Sequence, residues 1–253
     1  MKHVAYQLYG SRNFPPLERT LTMLAKTGFT AVEGYGAILE TPEALKTMLD
    51  KSGLSMPSAH MGLAEIEADP ARALATAHIL GLEAVFVPYL MPQDRPLDAA
   101  GWTAFGKRLA QIGAPFQQAG LKFGWHNHDF ELQPTDSGAL PLDLIVAADP
   151  RLLLELDLGW VRVAGLDPVA WITKYAGRIA TVHIKDIAPD GACVQEDGWA
   201  DVGHGIMDWT AIHAALQATG VDHYIVEHDN PSDDARFARR SLASVNSFQG
   251  PAI

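Results

Sequence analysis

The sequence repeats one local pattern: a stretch with helical periodicity ends in glycine, and a run of β-branched or aromatic residues begins within a few positions. The pattern occurs at Gly28, Gly53, Gly81, Gly120, Gly177 and Gly220. Glycine just past a helix takes the left-handed conformation that closes the helix and reverses the chain. These joins therefore predict a chain of alternating helices and strands.

Eight runs are candidate strands, because Val4–Tyr9 and Leu152–Asp157 add to the runs that follow the glycines. Eight strands alternating with helices predict an α/β fold, the (β/α)8 TIM barrel. A doubly wound open sheet is the alternative, but no glycine-rich dinucleotide fingerprint follows the first run. With 253 residues and 48% hydrophobic content, the chain suits a single barrel domain spanning residues 1–253.

The net charge and the composition limit the kinds of molecule that the protein is expected to bind. Acidic residues number 30 against 19 basic ones, a formal net charge of −11, and this disfavours binding to nucleic acid. A single cysteine, Cys193, excludes an internal disulfide and is expected to be a small apolar filler. The first residues lack the apolar segment of a signal peptide, and no run approaches the roughly 18 apolar residues of a membrane span. We expect a cytoplasmic protein, not associated with a membrane, that binds a small molecule.

Polar and ionisable residues end most of the predicted strands. They are Gln7, Glu33, His60, His126, His128, Glu155, Asp157, His183, Lys185, Glu227 and Asp229. In a (β/α)8 barrel the carboxyl ends of the strands form the active face, so these side chains should converge. Residues two apart, such as Glu155 and Asp157, point to the same face of a strand. Burying so many ionisable groups together is costly unless an opposite charge compensates them.

A divalent cation would compensate them directly. Carboxylate and imidazole ligands without cysteine suit Mn²⁺, Mg²⁺, Co²⁺ or Zn²⁺, and the sequence does not choose among these metals. The alternative is a set of internal salt bridges, such as one between Lys185 and Glu155. The number of ionisable strand ends favours a functional site over that alternative. We therefore expect a divalent metal cofactor.

Five motifs in order carry a resemblance to a known family. They are GWHNHDFE (124–131), ELDLGW (155–160) followed by AGLDP (164–168), GRIATVHIKD (177–186), VGHGIMDW (202–209) and YIVEHD (224–229). On these motifs the chain resembles the sugar phosphate isomerase/epimerase family of xylose-isomerase-like TIM barrels over nearly its whole length. The resemblance implies one divalent metal at the barrel mouth and a sugar or polyol substrate. Relatives are often dimers or tetramers, and the sequence identifies no interface for such a homo-oligomer.

The resemblance also implies a ligand set. Epimerases of this family hold the metal with Glu, Asp, His and Glu from strands five to eight, and the last three map to Asp157, His183 and Glu227. At the fifth-strand position this chain has His126, and the nearest carboxylate is Glu131 in the following loop. Either residue would complete the set. We expect Glu131, because a third carboxylate better balances a dication.

The chemistry that the resemblance implies is formation of an enediolate. The metal acts as a Lewis acid on the carbonyl of a keto-sugar or polyol derivative, and a side-chain base removes the adjacent proton. The expected catalytic residues are Glu227, His126 and Lys185. The expected substrate contacts are Glu33, His60, His128, Glu155 and Trp160.

Three functions remain open at this point. The first is a metal-dependent isomerase or epimerase of a keto-sugar or polyol derivative. The second is a lyase or dehydratase of a keto-inositol or 3-keto-glycoside, as in the inosose dehydratases, since His126 in place of a glutamate impairs proton exchange between two carboxylates. The third is a non-catalytic sugar-binding barrel with a structural metal. Apurinic-site endonucleases share the barrel, but the charge of −11 disfavours that activity.

Overall fold

A computed structural model describes residues 3–248 of the chain. Eight strands form a closed barrel. Their bounds are β1 His3–Gln7, β2 Ala31–Gly34, β3 Ser55–His60, β4 Ala84–Val87, β5 Lys122–His126, β6 Leu153–Asp157, β7 Ile179–Ile184 and β8 His223–Val226. Each strand pairs in parallel with the next, and β8 closes the barrel on β1. The predicted (β/α)8 barrel is confirmed, and the open-sheet alternative is wrong.

Ten helices connect the strands within the described residues. They are α1 Leu17–Thr27, α2 Pro42–Ser52, α3 Leu63–Ala68, α4 Pro70–Leu80, α5 Ala99–Gln118, α6 Pro141–Ala147, α7 Leu158–Val163, α8 Pro168–Lys174, α9 Trp209–Thr219 and α10 Asp234–Ser247. The six glycines that ended the helical patterns all have positive φ, from 70° at Gly53 to 108° at Gly28. The glycines identified in the sequence therefore form the turns between helices and strands.

Apolar side chains fill the layer between the strands and the helices. Val85, Phe116 and Leu156 are fully buried there. Helix α5 approaches β5 so closely at Gly113 that an added Cβ would lie 2.3 Å from the Phe123 ring. No other residue type fits this contact without moving the helix. Among the described residues, no helix is both long enough and apolar enough to cross a membrane.

The barrel interior changes character along its axis. Ala5, Ala31 and Ile225 form a small apolar cluster of their own. Each lies two residues before an ionisable or polar residue on the same strand face: Gln7, Glu33 and Glu227. The interior is thus apolar toward the amino ends of these strands and polar toward their carboxyl ends.

The segment that follows β7 is more ordered than a simple loop. Asp186–Ile187 pairs with Trp199–Ala200 as a short antiparallel hairpin. The buried Asp186 carboxylate accepts hydrogen bonds from the backbone N–H groups of residues 187, 203, 205 and 207 and from Trp209 Nε1, at 2.8–3.2 Å. One carboxylate thus anchors the hairpin and the chain that returns to α9. Cys193 lies in this segment and is exposed, so the expectation of a buried filler is wrong.

Candidate functional site

The carboxyl ends of the strands surround a cavity of about 590 Å³. Its lining includes side chains from seven of the eight strand ends and the loops after them. They are Tyr9, Arg12, Tyr35, His60, Glu65, Pro88, Tyr89, Arg95, His126, His128, Asp129, Phe130, Trp160, Glu227 and Asp229. A volume of this size is within the range of small-molecule sites. The cavity lies on the face where (β/α)8 barrels place their active sites.

Four side chains at the floor of the cavity form what we call the Asp157 cluster: His126, Asp157, His183 and Glu227. One ligand atom from each lies within 4.8 Å of the others, and all four residues are buried. They come from the ends of β5, β6, β7 and β8, where parallel pairing sets Asp157 directly beside His183. The cluster contains Asp157, His183 and Glu227, the three residues that the resemblance implied as ligands on strands six to eight.

A second group, the Glu155 cluster, consists of His60, His126, Glu155 and His183, and it also has four ligand atoms within 4.8 Å. Glu155 lies two residues before Asp157 on the same face of β6, so this cluster is deeper in the barrel. Its carboxylate is saturated by protein donors. Oε1 accepts from Thr181 Oγ1 at 2.8 Å, and Oε2 contacts a ring nitrogen of each of the three histidines.

His126 and His183 belong to both clusters because each offers one ring nitrogen to each. His183 Nδ1 lies 2.8 Å from Glu227 Oε2, and its Nε2 lies 2.7 Å from Glu33 Oε2. His126 Nδ1 lies 3.3 Å from Glu155 Oε2, while its Nε2 points to Asp157 Oδ2 at 3.9 Å. The two imidazoles therefore connect the cavity floor to the hydrogen-bonded layer below.

Glu33 and Glu155, which we expected to bind substrate, are fully buried beneath these imidazoles. Glu33 accepts from Gln7 Nε2 at 2.7 Å and from Ser58 Oγ, and both carboxylates hold histidine rings. The structure therefore gives them the role of orienting the histidines rather than of contacting a ligand. His60, His128 and Trp160 do line the cavity, as expected of substrate contacts.

Asp157 has one carboxylate oxygen without a hydrogen bond. Its Oδ1 caps α7 by accepting from Trp160 N at 2.9 Å. Its Oδ2 is buried and has no hydrogen-bond partner among residues 3–248. That oxygen lies 3.9 Å from each of His126 Nε2, His183 Nδ1 and Lys185 Nζ. Buried acceptors are rarely left unpaired, so this gap between an oxygen and two nitrogens fits a bound cation.

The electrostatics of the Asp157 cluster agree with a cation there. Burial, together with the charges of His183 and His60, lowers the pKa of His126 to about 3, so its ring is neutral and has a lone pair to donate. Burial raises the pKa of Asp157 to about 7, although the positive charge of Lys185 acts to lower it. Burial disfavours a charged His183, but the carboxylates of Glu155, Glu227 and Glu33 hold its pKa well above the ordinary value. A metal ligated by His183 would replace that proton.

Lys185 is a buried cation beside the Asp157 cluster. Its Nζ lies 2.6 Å from Asp229 Oδ1 and 3.3 Å from Glu227 Oε2. Although burial disfavours the ammonium, these carboxylates raise the pKa of Lys185 above its ordinary value. The salt bridge with Glu155 considered from the sequence is not formed, because Lys185 reaches toward the cavity instead. Two tryptophan rings, Trp160 and Trp199, cover the other side of the ammonium at 5.0 and 4.3 Å.

Glu131, the metal ligand that we expected from the loop after β5, lies outside both clusters. A 3-10 turn at Phe130–Leu132 directs its carboxylate back to Trp125 Nε1 at 2.7 Å and to His128 N at 2.8 Å. The fifth-strand member of the Asp157 cluster is His126. Trp125 is 1% exposed and packs on Phe105, so it is a core residue rather than a cavity wall.

Sequence reasoning missed Trp199. It is separated from Lys185 by a loop and reaches it only because the hairpin pairs Trp199 with Ile187, close to Lys185 in the chain. The only signal in the sequence was the length of the segment between β7 and α9. His204, in the same segment, is exposed.

Comparisons with known proteins agree with this geometry. The chain is 25% identical to the rhizopine catabolism protein MocC of Rhizobium meliloti, over 93% of this chain and 83% of that protein. It is 27% identical to an inosose dehydratase of Clostridium beijerinckii, over 58% of this chain but only 55% of that protein.

Solved structures with the same fold are also similar. A sugar phosphate isomerase/epimerase from Parabacteroides distasonis superposes with a TM-score of 0.82 at 22% identity, covering 99% of this chain and 94% of that one. An IOLI protein with a bound zinc atom superposes with a TM-score of 0.75 at 16% identity, covering 98% of each chain. The model of one family, described as the xylose isomerase-like TIM barrel, matches residues 21–247. This chain belongs to the xylose isomerase-like TIM barrel family.

Proposed function

We propose that this chain is a divalent-metal-dependent lyase or dehydratase that removes a proton beside the carbonyl of a keto-polyol or keto-sugar and expels a hydroxyl or alkoxyl group from the next carbon. The observation that carries the proposal is Asp157 Oδ2, a buried oxygen without a hydrogen bond that lies beside two imidazoles at the floor of the cavity. The similarity to an inosose dehydratase supports elimination as the outcome.

The residues that would hold the metal are His126, Asp157, His183 and Glu227. Their mixture of imidazole and carboxylate suits Mn²⁺, Co²⁺ or Zn²⁺, and also Mg²⁺ if water completes the shell. When bound, such an ion polarises a substrate carbonyl and makes the adjacent C–H more acidic. Glu131, committed to Trp125 and His128, has no part in this set.

Glu227 is the proton acceptor in this proposal. Its Oε2 is held by His183 and Lys185, whereas its Oε1 has no hydrogen bond to any described residue. The side chain lines the cavity, so Oε1 is free to accept a proton from a substrate carbon. The proton accepted by Glu227 then leaves with the expelled hydroxyl as water, so that one carboxylate serves both halves of the elimination.

The Lys185 ammonium is placed to hold negative charge on the substrate. It is within hydrogen-bonding distance of Glu227 Oε2, the second oxygen of the carboxylate whose Oε1 takes the proton. A buried, fixed ammonium stabilises a developing oxyanion more than a solvated one would, because little solvent screens it. His128 and Trp160, whose rings lie 5.1 Å apart, form one side of the sugar pocket.

An isomerase or epimerase is the second candidate, since it begins with the same proton removal. The observation in its favour is His128, whose Nδ1 makes no hydrogen bond to the described residues. Burial and the nearby charge of Lys185 lower the pKa of His128 well below its ordinary value, so the ring is neutral and has an unprotonated nitrogen. A second acceptor is what an epimerisation needs.

A reaction in deuterium oxide tests these alternatives. The protein, loaded with Mn²⁺, Co²⁺ or Zn²⁺ in turn, is incubated with an inosose or a 3-keto-glycoside, and the products are analysed by mass spectrometry and NMR. Loss of water or of the aglycone supports the lyase, and deuterium at carbon without elimination supports the isomerase. A metal-loaded protein that binds these compounds but neither exchanges a proton nor eliminates would leave only a sugar-binding barrel.

A further inference from the structure

The Lys185 ammonium is buried between carboxylates and two indole rings at the edge of the cavity. The side chain is 1% exposed. On one side lie the carboxylates of Asp229, Glu227 and Asp157, at 2.6, 3.3 and 3.9 Å. On the other side lie the faces of Trp160 and Trp199. An ammonium that is desolvated in this way gains more from an aromatic face than an exposed one does.

The two indoles have different origins. Trp160 lies in α7, directly after β6, and its position follows from the barrel. Trp199 comes from the hairpin after β7, where Ile187 is its cross-strand partner. The rings meet edge to face, with centroids 4.9 Å apart, and Trp199 is 5% exposed. The hairpin therefore supplies half of the aromatic wall.

The ammonium has three N–H groups, and the residues that the structure describes accept hydrogen bonds from at most two of them. Asp229 Oδ1 and Glu227 Oε2 are within hydrogen-bonding distance, whereas Asp157 Oδ2 at 3.9 Å is too far. The indole faces accept no conventional hydrogen bond from the third N–H. One N–H is thus left without an acceptor among the described residues, beside Glu227 and Asp229, which line the cavity.

We propose that Trp199 is a positioning residue for Lys185: its ring fixes the ammonium against Glu227 and Asp229 so that the remaining N–H is directed at an oxygen of the substrate. That the N–H meets a substrate oxygen rests on the proposed function. That Trp199 holds the ammonium in place does not. Asp186 acts through the hairpin, because its carboxylate anchors the chain on both sides of the loop that carries Trp199.

Outside the barrel mouth, the chain offers a matched control. Lys174 Nζ lies 4.4 Å from the ring centroid of Trp171, nearly the distance between Lys185 and Trp199. Trp171 is 6% exposed, so its burial also matches. Truncating Trp171 removes a similar ring and a similar cation contact on the outer helix α8, away from the cavity.

The first measurement is kinetic and uses the metal-loaded full chain. We expect Trp199→Leu to lower kcat roughly ten- to thirty-fold with KM changed less than about twofold, and Trp199→Phe to stay within about threefold of the parent. Trp171→Leu should keep the parental kcat. An unchanged kcat in Trp199→Leu, or a rise in KM alone, would overturn the proposal, since the ring would then be only a cavity wall.

The second measurement does not depend on turnover. Lysines are acetylated with acetic anhydride and located by peptide mass spectrometry, with the more exposed Lys174 as the internal reference. Lys185 should be protected in the parent and in Trp171→Leu, and labelled in Trp199→Leu. Protection that persists without the Trp199 ring would sink the proposal. If the parent turns over no keto-sugar, the proposed function fails, and the labelling still decides whether Trp199 fixes Lys185.

Discussion

The Glu155 cluster and the Asp157 cluster contain the same kinds of side chain, share His126 and His183, and differ in how their carboxylates are bonded. Both oxygens of Glu155 meet protein donors: Thr181 on one side and imidazoles on the other. In the Asp157 cluster, one oxygen of Asp157 meets none. The residue types alone would make both groups metal sites.

The difference teaches that the hydrogen bonds made by each carboxylate oxygen, rather than the residue types present, distinguish a structural cluster from a ligand site. A buried carboxylate surrounded by donors on neighbouring strands is already compensated, so a cation would have to displace those bonds. A buried oxygen with no donor is uncompensated, and a cation would relieve that cost. We therefore expect one equivalent of divalent metal per chain, bound by the Asp157 cluster.

The largest effect is expected at Glu227, where the Asp157 cluster meets the cavity. Glu227→Gln removes the proton acceptor while keeping the shape of the side chain. Turnover should fall by about 10³-fold or more, since general base catalysis typically contributes at least 10²-fold. The measurement is solvent deuterium incorporation under metal saturation, with far-ultraviolet circular dichroism to verify the fold. A fully active Glu227→Gln protein would falsify the mechanism.

A pair of variants compares the two clusters directly. Asp157→Asn should weaken binding of Mn²⁺ or Zn²⁺ by about 100-fold or more, because even residues that only support a ligand are typically worth 10- to 100-fold. Glu155→Gln should change affinity less, by about tenfold at most, but should lower the unfolding midpoint because it leaves buried histidines without their carboxylate. Isothermal titration with each metal gives the affinities. Equal losses in the two variants would show that our division of the clusters is wrong.

The smallest effect on metal binding is expected at Glu131, which lies outside both clusters. Glu131→Gln should leave metal affinity within about twofold of the parent. A large loss would return Glu131 to the ligand set in place of His126.

The same variant should also change how the free energy of unfolding depends on pH. Burial raises the pKa of Glu131 to about 8 from its ordinary value of 4.5, so the folded chain holds this proton more tightly than the unfolded chain does. The stability linked to this proton is complete below the unfolded value and is lost as pH rises through the folded value. The parent should therefore lose on the order of 4 kcal/mol more than Glu131→Gln between about pH 5 and about pH 9, at about 1.4 kcal/mol per pH unit up to the folded pKa, measured by urea unfolding.

Much of the barrel could be predicted because the residues that indicate each helix end and each strand lie close together in the sequence. Glycine at the helix ends and the composition of the following runs located all eight strands, although β1 ends at Gln7 and the chain continues as a 3-10 turn. Asp157, His183 and Glu227 were among the strand-end residues expected to converge, and the family resemblance singled them out as ligand candidates.

The remaining features of the site depend on geometry that the sequence does not encode locally. The argument for Glu131 counted charges, but the short turn after β5 reverses the direction of its side chain. Trp199 could not be linked to Lys185 without knowing that the hairpin pairs Trp199 with Ile187. Glu33 and Glu155 were recognised as strand ends, yet their depth relative to the histidines depends on the register of the closed barrel.

The anchoring of the segment after β7 by Asp186 has a consequence for protein engineering. Since Asp186 and Ile187 pair with Ala200 and Trp199, and the Asp186 carboxylate anchors the returning chain, residues 188–198 form a loop whose two ends are fixed by the scaffold and which leaves Trp199 in place. Gly205 has to be retained, because a Cβ there would lie 2.1 Å from Ile187 O. Loops from other barrels could be grafted between these fixed points. This segment is therefore the place where substrate specificity could be changed while the residues at the floor of the cavity stay the same.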